Sequence, residues 1–569
     1  MKAIFNSLQQ SSKIFIVLGI IVLLNIFSSI YYTYFDLTED KRFLLTESTK
    51  TLLNQVDNPI YVRILLDGDF PAGFKRLQKA TIDMCNQFRN VNPNFEFVVE
   101  NPMQGTVEEM NNVKQELAKS GIVPVNLRIK SSNENKEQLI YPYAVFAFAD
   151  RKIQVNLLEN VYGANQETNL NSSISLLEYK FANAIQKIFS PEKKNILITK
   201  GNGEFESEQV KSLESILYPF YNYSRVNLDS SISIDKSVAA IIVPRPTLKF
   251  SERNKFILDQ YIMNGGKVIW LVDGIRMNLD SLNTRTEYIP EVNDVNLGDL
   301  LFKYGVRIEP NLVLDIECAK IPQVIGRQGG KAQIELFPWY YHPLIGPVSS
   351  HPIVRNIDRL TSEFPSSIDT VKTKGYVVKT PILLSSKYSR YQLSPMKVGF
   401  DIMRYKPDIE KFDKPHLPIA YLLEGKFYSN YENRVEESML SSLKSLNLDF
   451  TASTENNKMI VIADGDLVKN MYDKKSGKYA PMGYNKFEDL PFNGNKEFII
   501  NALEYLTNDK NILSARSKEV KMRLLNTVKA TQEKSFWQFL NVGLPILLLI
   551  VFGFINQYWR KRKYIKNTL

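Results

Sequence analysis

Residues 257–274 read ILDQYIMNGGKVIWLVDG: apolar residues at helical spacing, a Gly-Gly stop, an unbroken apolar run, and an acid where the run ends. A continuous run such as Val268 to Val272 suits a strand covered on both faces, as in a parallel sheet. The same unit recurs at NILITKGNGE, AAIIVPRP and KMIVIADGDLVKN, so the spacing predicts an α/β domain with several buried parallel strands. In an open sheet of this kind ligands bind outside the carboxyl ends of the strands. The residues at those ends define a candidate crevice: Asn202, Glu204, Arg245, Asp273, Asp464 and Asp466.

The crevice has acids, one arginine and flexible backbone, but it lacks the parts most enzymes need. No G-x-S-x-G or equivalent cysteine elbow follows a strand, so the exposed nucleophile of hydrolases and amidotransferases is missing. The Gly-Lys pairs at 266, 330, 425 and 477 are not followed by Ser or Thr in a P-loop frame. GNGEFE starts like a dinucleotide loop but carries Glu206 where a third glycine belongs. Asp464 and Asp466 could offer hard oxygen ligands to magnesium or calcium, yet turn formation and capping are the plainer roles for such a pair. Asp273 beside Gly274 likewise reads as a turn-capping residue. His342, His351 and His416 each neighbour a proline or sit near one, without a Cys or His partner, and read as loop or surface residues. No catalytic set, metal site or cofactor is expected.

Two segments are apolar enough to leave water. Ile14 to Phe35 is uncharged for 22 residues, a helix of roughly 33 Å at about 1.5 Å per residue, which matches a bilayer core. Ser535 to Trp559 is uncharged for 25. A cleaved signal peptide is the rival reading of the first, but a small-x-small cleavage site is missing. The formal charge of +10 is concentrated at these flanks, in Lys2, Lys13 and the tail RKRKYIK, so the chain between the spans is close to neutral. The basic tail places both termini in the cytoplasm and the bulk of the chain outside it. Nucleic acid is excluded as a partner because no basic stripe is available to neutralise phosphates. Cys85 and Cys318 are too few for a disulfide framework.

After the first span, Thr46 offers a cap for a short helix ending near Val56. IYVRILLDGDF, FKRLQKATIDMCNQFRNV and FEFVVENP then make a βαβ unit, followed by strands at VNLRIK and YAVFAFADRKIQVNLL. In SLLEYKFANAIQKIF, Leu177, Phe181, Ala184, Ile185 and Ile188 share one helical face. Ser251 is a plausible cap for the opening helix. Residues 301–450 lose the α/β rhythm and are read as a β-rich insertion; within it FPWYYHP, residues 337–343, is either an exposed partner or sugar surface or the insertion's own core. The expected division is 1–35 tail and span, 36–190 first α/β domain, 191–300 and 451–510 the two parts of the second, 511–534 a connecting helix, 535–559 the second span and 560–569 a cytoplasmic tail.

DLTEDKRFLLTESTKTLLNQVDNPIYVRILL, ILITKGNGE, the run from AAIIVPRP to VIWLVD, MIVIADGDLVKN and FNGNKEFIINALEYLT, in this order between two spans, resemble the auxiliary extracytoplasmic subunit of ABC transporters. LSSKYSRYQLSPMKVGFDIMRYKPDIEKF and LPIAYLLEGKF resemble its gliding-motility-associated branch. The resemblance implies a noncatalytic subunit of the inner membrane whose second domain is glutamine-amidotransferase-like without the catalytic cysteine. The implied partners are a polytopic permease-like subunit, a cytoplasmic ATPase reached directly or through it, and extracytoplasmic gliding or secretion components. A module binding sugar, lipid or peptide in the crevice is the alternative, and an amidotransferase- or hydrolase-like enzyme a third. Gly543 and Pro545 would permit a bend in the second span.

Overall fold

A computed structural model describes residues 44–507, apart from 121, 131–134, 160–165, 190–192, 283–284, 329–330, 347–348, 350, 356, 404–406, 447, 475 and 489, and residues 533–565; before 44 only 19, 20 and 25 are described. The expected first span and most of the expected connecting helix therefore lie outside the described residues. The chain forms two units, residues 1–519 and 520–569, and is a mixed α/β protein.

From residue 44 on, the first described helix is Glu47–Asn54, where Thr46 is the N-cap and its side chain accepts from the Thr49 amide. Strand Ile60–Ile64 pairs parallel with Phe95–Val99 across the helix Ala72–Val91, forming the expected βαβ unit. Tyr143–Phe148 and Arg151–Asn156 complete a four-stranded sheet. Strand Ile60–Ile64 alternates buried and exposed residues, so its inner set, Ile60, Val62 and Ile64, packs with Phe88, Phe146 and Phe181 into one core. Leu177, Phe181, Ala184, Ile185 and Ile188 are all buried in the helix Leu177–Phe189, as their spacing requires.

Seven strands make the larger sheet, in the order Val377–Leu384, Pro418–Tyr428, Ser453–Ile462, Lys267–Leu271, Val238–Pro244, Lys194–Lys200, Tyr221–Asn227. The last five run parallel, and the first two, which come from the β-rich segment, add antiparallel. Apolar runs at the centre are buried on both faces: Ile242, Ile269 and Ile460 face a core shared with the helix Gly494–Thr507, whereas Ile241, Val243, Val268 and Trp270 face one shared with the helix Glu252–Met263. That second helix starts at Ser251, whose side chain accepts from the Asn254 amide.

Much of the β-rich segment packs into a further core, joined by Ile275, Met277 and Leu282. Cys318–Gln328 and Lys331–Ile345 pair antiparallel, and Trp339, Tyr340 and Tyr341 are buried with Phe364 and Leu312. Trp339 to Pro343 of FPWYYHP are thus interior, while Phe337 is half-buried and Pro338 exposed. His342 lies within this strand and is buried, its ring edge-on to Phe364 at 4.9 Å; the expectation of a loop or surface histidine fails here because this end of the strand is covered on both faces, every residue from Trp339 to Ile345 being buried. His351 and His416 lie outside helices and strands. Cys85 and Cys318 are both free thiols.

The cap of the helix Glu47–Asn54 and the helix Gly494–Thr507 both meet the helix Leu177–Phe189. The Thr46 amide and hydroxyl donate to Glu178 Oε1 at 2.6 and 2.8 Å. Farther along the same helix, Tyr179 donates to Glu504 Oε2 at 2.8 Å, Asn183 Nδ2 to Oε1 at 3.1 Å, and Lys187 Nζ lies 2.7 Å from Oε1. Burial would raise the Glu504 carboxyl, but Lys187 and the donated hydrogen bonds outweigh it and hold the group below its ordinary value. A depressed folded-state value stabilises above the unfolded-state value and is lost as pH falls through the folded one. Glu504→Ala should therefore lower unfolding stability by about 3 kcal/mol at pH 7, with the gap from wild type narrowing in acid, as measured by denaturant titration at pH 7 and pH 3.

The second unit contains the helix Lys534–Ile565, with Pro545 inside it. Within its 29-residue stretch Lys534–Arg562 an 18-residue window has mean hydropathy 2.2 and none of that window is buried, so the helix is long and apolar enough to cross a membrane.

Candidate functional site

The carboxyl ends of the parallel strands bring four of the six expected residues together. Asp273 follows the strand Lys267–Leu271, Arg245 follows Val238–Pro244, and Asp464 and Asp466 follow Ser453–Ile462. Carboxylate oxygens of Asp273, Asp464 and Asp466 lie within 4.8 Å of one another, and all three residues are buried. Like charges this close in a dry site cannot all stay ionised without a cation among them.

Arg245 is that cation. Its Nε lies 2.8 Å from Asp273 Oδ2 and 3.3 Å from Asp466 Oδ2, and its Nη2 donates to the Met277 carbonyl at 3.1 Å. The backbone of Arg245 is left-handed, at φ 55°, which aims the side chain back across the strand ends. The turn opposite must be glycine: a Cβ on Gly465 would come within 2.5 Å of Arg245 Cβ and Cγ. The Gly465 amide in turn donates to Asp273 Oδ1 at 2.5 Å. Phe205 lies under the guanidinium, 5.3 Å from its ring centre.

Asp464 and Asp466 shape the following turn. The Asp466 amide donates to Asp464 Oδ1 at 2.8 Å, and Asp466 opens the short helix Asp466–Val468. Asp464 Oδ2 also accepts from the Ser362 hydroxyl at 2.5 Å and the Glu363 amide at 3.2 Å. Lys469, one turn on from Asp466, pairs with Asp466 Oδ1 at 3.0 Å and Glu363 Oε2 at 3.1 Å. Sequence reasoning missed this lysine although its i+3 position was readable; Ser362, Glu363 and His342 reach the site from the β-rich segment, with no local signal.

Burial pushes Asp273 up to about 6 despite the neighbouring Arg245. Burial, reinforced by Asp466 and Asp273, holds Asp464 well above the ordinary carboxylate range. Burial opposes charge on Arg245 and Lys469 as well, yet Asp466 heads the carboxylates that keep both cationic. Burial also lowers His342, so it is neutral near pH 7. The donor set could in principle suit a hard divalent ion, but the guanidinium already stands between two of the three carboxylates.

Asn202 and Glu204 make a separate turn. The Asn202 amide donates to Glu204 Oε2 at 2.6 Å, its carbonyl accepts from Thr247 and Leu248, and its Nδ2 donates to the Lys249 carbonyl at 3.3 Å. Asn202 Oδ1 and Glu204 Oε1 are buried acceptors without a hydrogen-bond donor.

Removing the guanidinium strands the buried Asp273 carboxylate and leaves Asp466 with Lys469 alone. Arg245→Met should destabilise the protein by about 3 kcal/mol at pH 8. The loss should shrink at pH 5.5, where Asp273 gains its proton in the folded state: a raised carboxyl value disfavours the ionised form as pH rises through it. Thermal unfolding of both proteins at the two pH values measures this difference.

A family model described as an ABC-type uncharacterized transport system matches residues 193–502, and a domain family of unknown function matches 39–147. An uncharacterized protein of Borreliella burgdorferi is 20% identical over 571 residues, covering 98% of this chain and 99% of its own. Among solved structures, the mmIFT52 N-terminal domain is 14% identical with TM-score 0.31, covering 55% of this chain and 98% of that domain. A ThuA-like protein of Parabacteroides merdae is 10% identical with TM-score 0.26, covering 56% and 90%. With more than half of its length matched by that model, this chain belongs to the auxiliary family of ABC-type transport systems.

Proposed function

We propose that the chain is a noncatalytic, membrane-anchored subunit of an ABC-type complex required for gliding motility. It spans the inner membrane twice, with both termini cytoplasmic and the bulk of the chain periplasmic. There it couples a polytopic permease-like subunit and a cytoplasmic ATPase, reached directly or through the permease, to extracytoplasmic gliding or secretion components. The observation that carries this reading is the 29-residue apolar helix Lys534–Arg562, unburied throughout, on a chain whose family is a transport system. The gliding-type stretches around LSSKYSRYQLSPMKVGF and the basic flank after Trp559 support the rest. A subunit without chemistry also accords with strand ends whose charges are matched within the chain, Arg245 to Asp273 and Asp466, and Lys469 to Glu363.

The test is mild-detergent purification of the tagged full-length protein from its own cells, with mass spectrometry of what co-elutes. A polytopic membrane protein and a P-loop ATPase in fixed ratio are expected; elution alone, under conditions that keep other membrane complexes intact, would sink the reading. Gly543 and Pro545 are proposed as a bend in this span. Pro545→Leu should then impair gliding while leaving membrane insertion intact, and wild-type motility in that variant would remove the bend from the mechanism.

A second reading, a ligand-binding module at the strand ends, is favoured by the unmet acceptors Asn202 Oδ1 and Glu204 Oε1. It requires saturable binding of a sugar, lipid or peptide that weakens on Arg245→Ala or Asp273→Ala in protein that remains folded.

A further inference from the structure

Beyond its buried base, the ribbon formed by Cys318–Gln328 and Lys331–Ile345 stands clear of the core. The two strands stay paired out to Gln328 and Lys331, yet no described residue between Ile321 and Trp339 is buried. Residues directly opposite one another in an antiparallel pair share a face. The register sets Lys320 with Pro338, Pro322 with Leu336, Val324 with Ile334 and Arg327 with Ala332, and the even positions of the second strand put all of these on one face. Val324, Ile334 and Leu336 are 62%, 65% and 38% exposed there. The other face pairs Gln323 with Glu335 and Ile321 with Phe337, and Ile321 enters the core. The apolar face is therefore the one turned away from the protein's own interior, an exposed patch of the kind that marks an interaction surface.

The charges on this face are of one sign. Lys320 near the base and Arg327 near the tip are exposed, and the only acid in the sequence from Lys320 to Pro338 is Glu335, which lies on the other face. Glu488 sits beside Lys320 and accepts from its amide at 3.3 Å, so Arg327 is the principal charge. From Lys320 to Arg327 the face runs about 20 Å at about 3.4 Å per residue, and two strands about 4.8 Å apart make it about 10 Å wide. That is about 200 Å², well short of the roughly 800 Å² per partner that a stable protein interface buries, so a second copy or another folded protein would be held poorly. A bilayer sets no such requirement for a chain already anchored in one, the reading on which this inference rests. An apolar strip with cations at both ends suits the interface of anionic lipid.

We propose that this face of the ribbon lies flat on an anionic lipid surface, with Pro322, Val324, Ile334 and Leu336 below the headgroups and Arg327 and Lys320 at the lipid phosphates. Arg327 near the tip excludes point-first insertion, because its charge would enter the hydrocarbon. The contact needs no permease or ATPase, and it is separate from the acid cluster.

The test places the full-length protein in nanodiscs of phosphatidylcholine, alone or mixed with phosphatidylglycerol. A nitrobenzoxadiazole label is carried by Ile334→Cys or by Glu335→Cys, neighbours on opposite faces, each combined with Cys318→Ser. With phosphatidylglycerol present, the label at position 334 should shift to the blue and be quenched by doxyl-labelled lipid, while the label at 335 stays aqueous. Arg327→Gln should weaken this contact about fivefold, and Val324→Asp should abolish it, with circular dichroism checking that both variants fold. Protein that fails to enter the discs would count against the spanning helix alone, and the same labels are then read in solution with phosphatidylglycerol vesicles added. An aqueous label at 334, equal quenching on both faces, or indifference to phosphatidylglycerol or to Arg327→Gln would each overturn the proposal. Shielding of position 334 that rises with protein concentration in lipid-free detergent would assign the face to a second copy, and shielding confined to native membranes would assign it to a protein partner; either overturns it as well.

Discussion

Three carboxylates buried at one end of a sheet need a counter-charge, and Arg245 supplies it from the neighbouring strand. Much of the local design follows from that requirement. The arginine takes a left-handed backbone to reach back over the strand ends, residue 465 is glycine because Arg245 lies against it, and the Gly465 amide secures Asp273. Lys469 balances Asp466 and Glu363 from the other side. The strand ends where α/β proteins usually keep chemistry are here knitted into the framework. Such a network favours one arrangement of the turns over others, because any slip would leave a buried charge without its partner.

Much of the parallel part of the fold was legible in the sequence, for local reasons. Apolar runs from Val268 and Met459 had to be covered on both faces, and they are. Thr46 and Ser251 announce their helices because a side-chain oxygen there meets an amide that the helix leaves unbonded. The Thr106-x-x-Glu109 pattern marks the helix Val107–Lys119 in the same way, through a capping box, although it was not picked out. The candidate site was partly legible: strand ends pointed to Arg245, Asp273, Asp464 and Asp466, while Asn202 and Glu204 turned out to serve a different turn.

What could not be read depends on distant pairings. Nothing in VVKTPILL or PIAYLLEGKFY states that these strands extend the parallel sheet in the antiparallel sense. Likewise Ser362 and Glu363 meet Asp464 across about a hundred residues of chain. Local pattern fixes which face of an element is apolar, but the partner that covers it is chosen by the closure of long loops, which leaves no local mark. His342 illustrates the cost: its neighbouring proline suggested a loop, whereas it sits in a strand end covered on both faces, from Trp339 to Ile345.

The helix Leu177–Phe189 gives the first unit a particular mechanical layout. Its 13 residues receive the N-cap of the helix Glu47–Asn54 through Glu178 and Thr46 and the helix Gly494–Thr507 through Tyr179, Asn183, Lys187 and Glu504. Tension applied between Thr46 and the helix Gly494–Thr507 therefore has a short load path along a single helix, in parallel with the route through the seven-stranded sheet. The sheet is shielded from much of the pull, and the bonds that would yield first under strain are side-chain contacts that can re-form, not the backbone ladder beneath them.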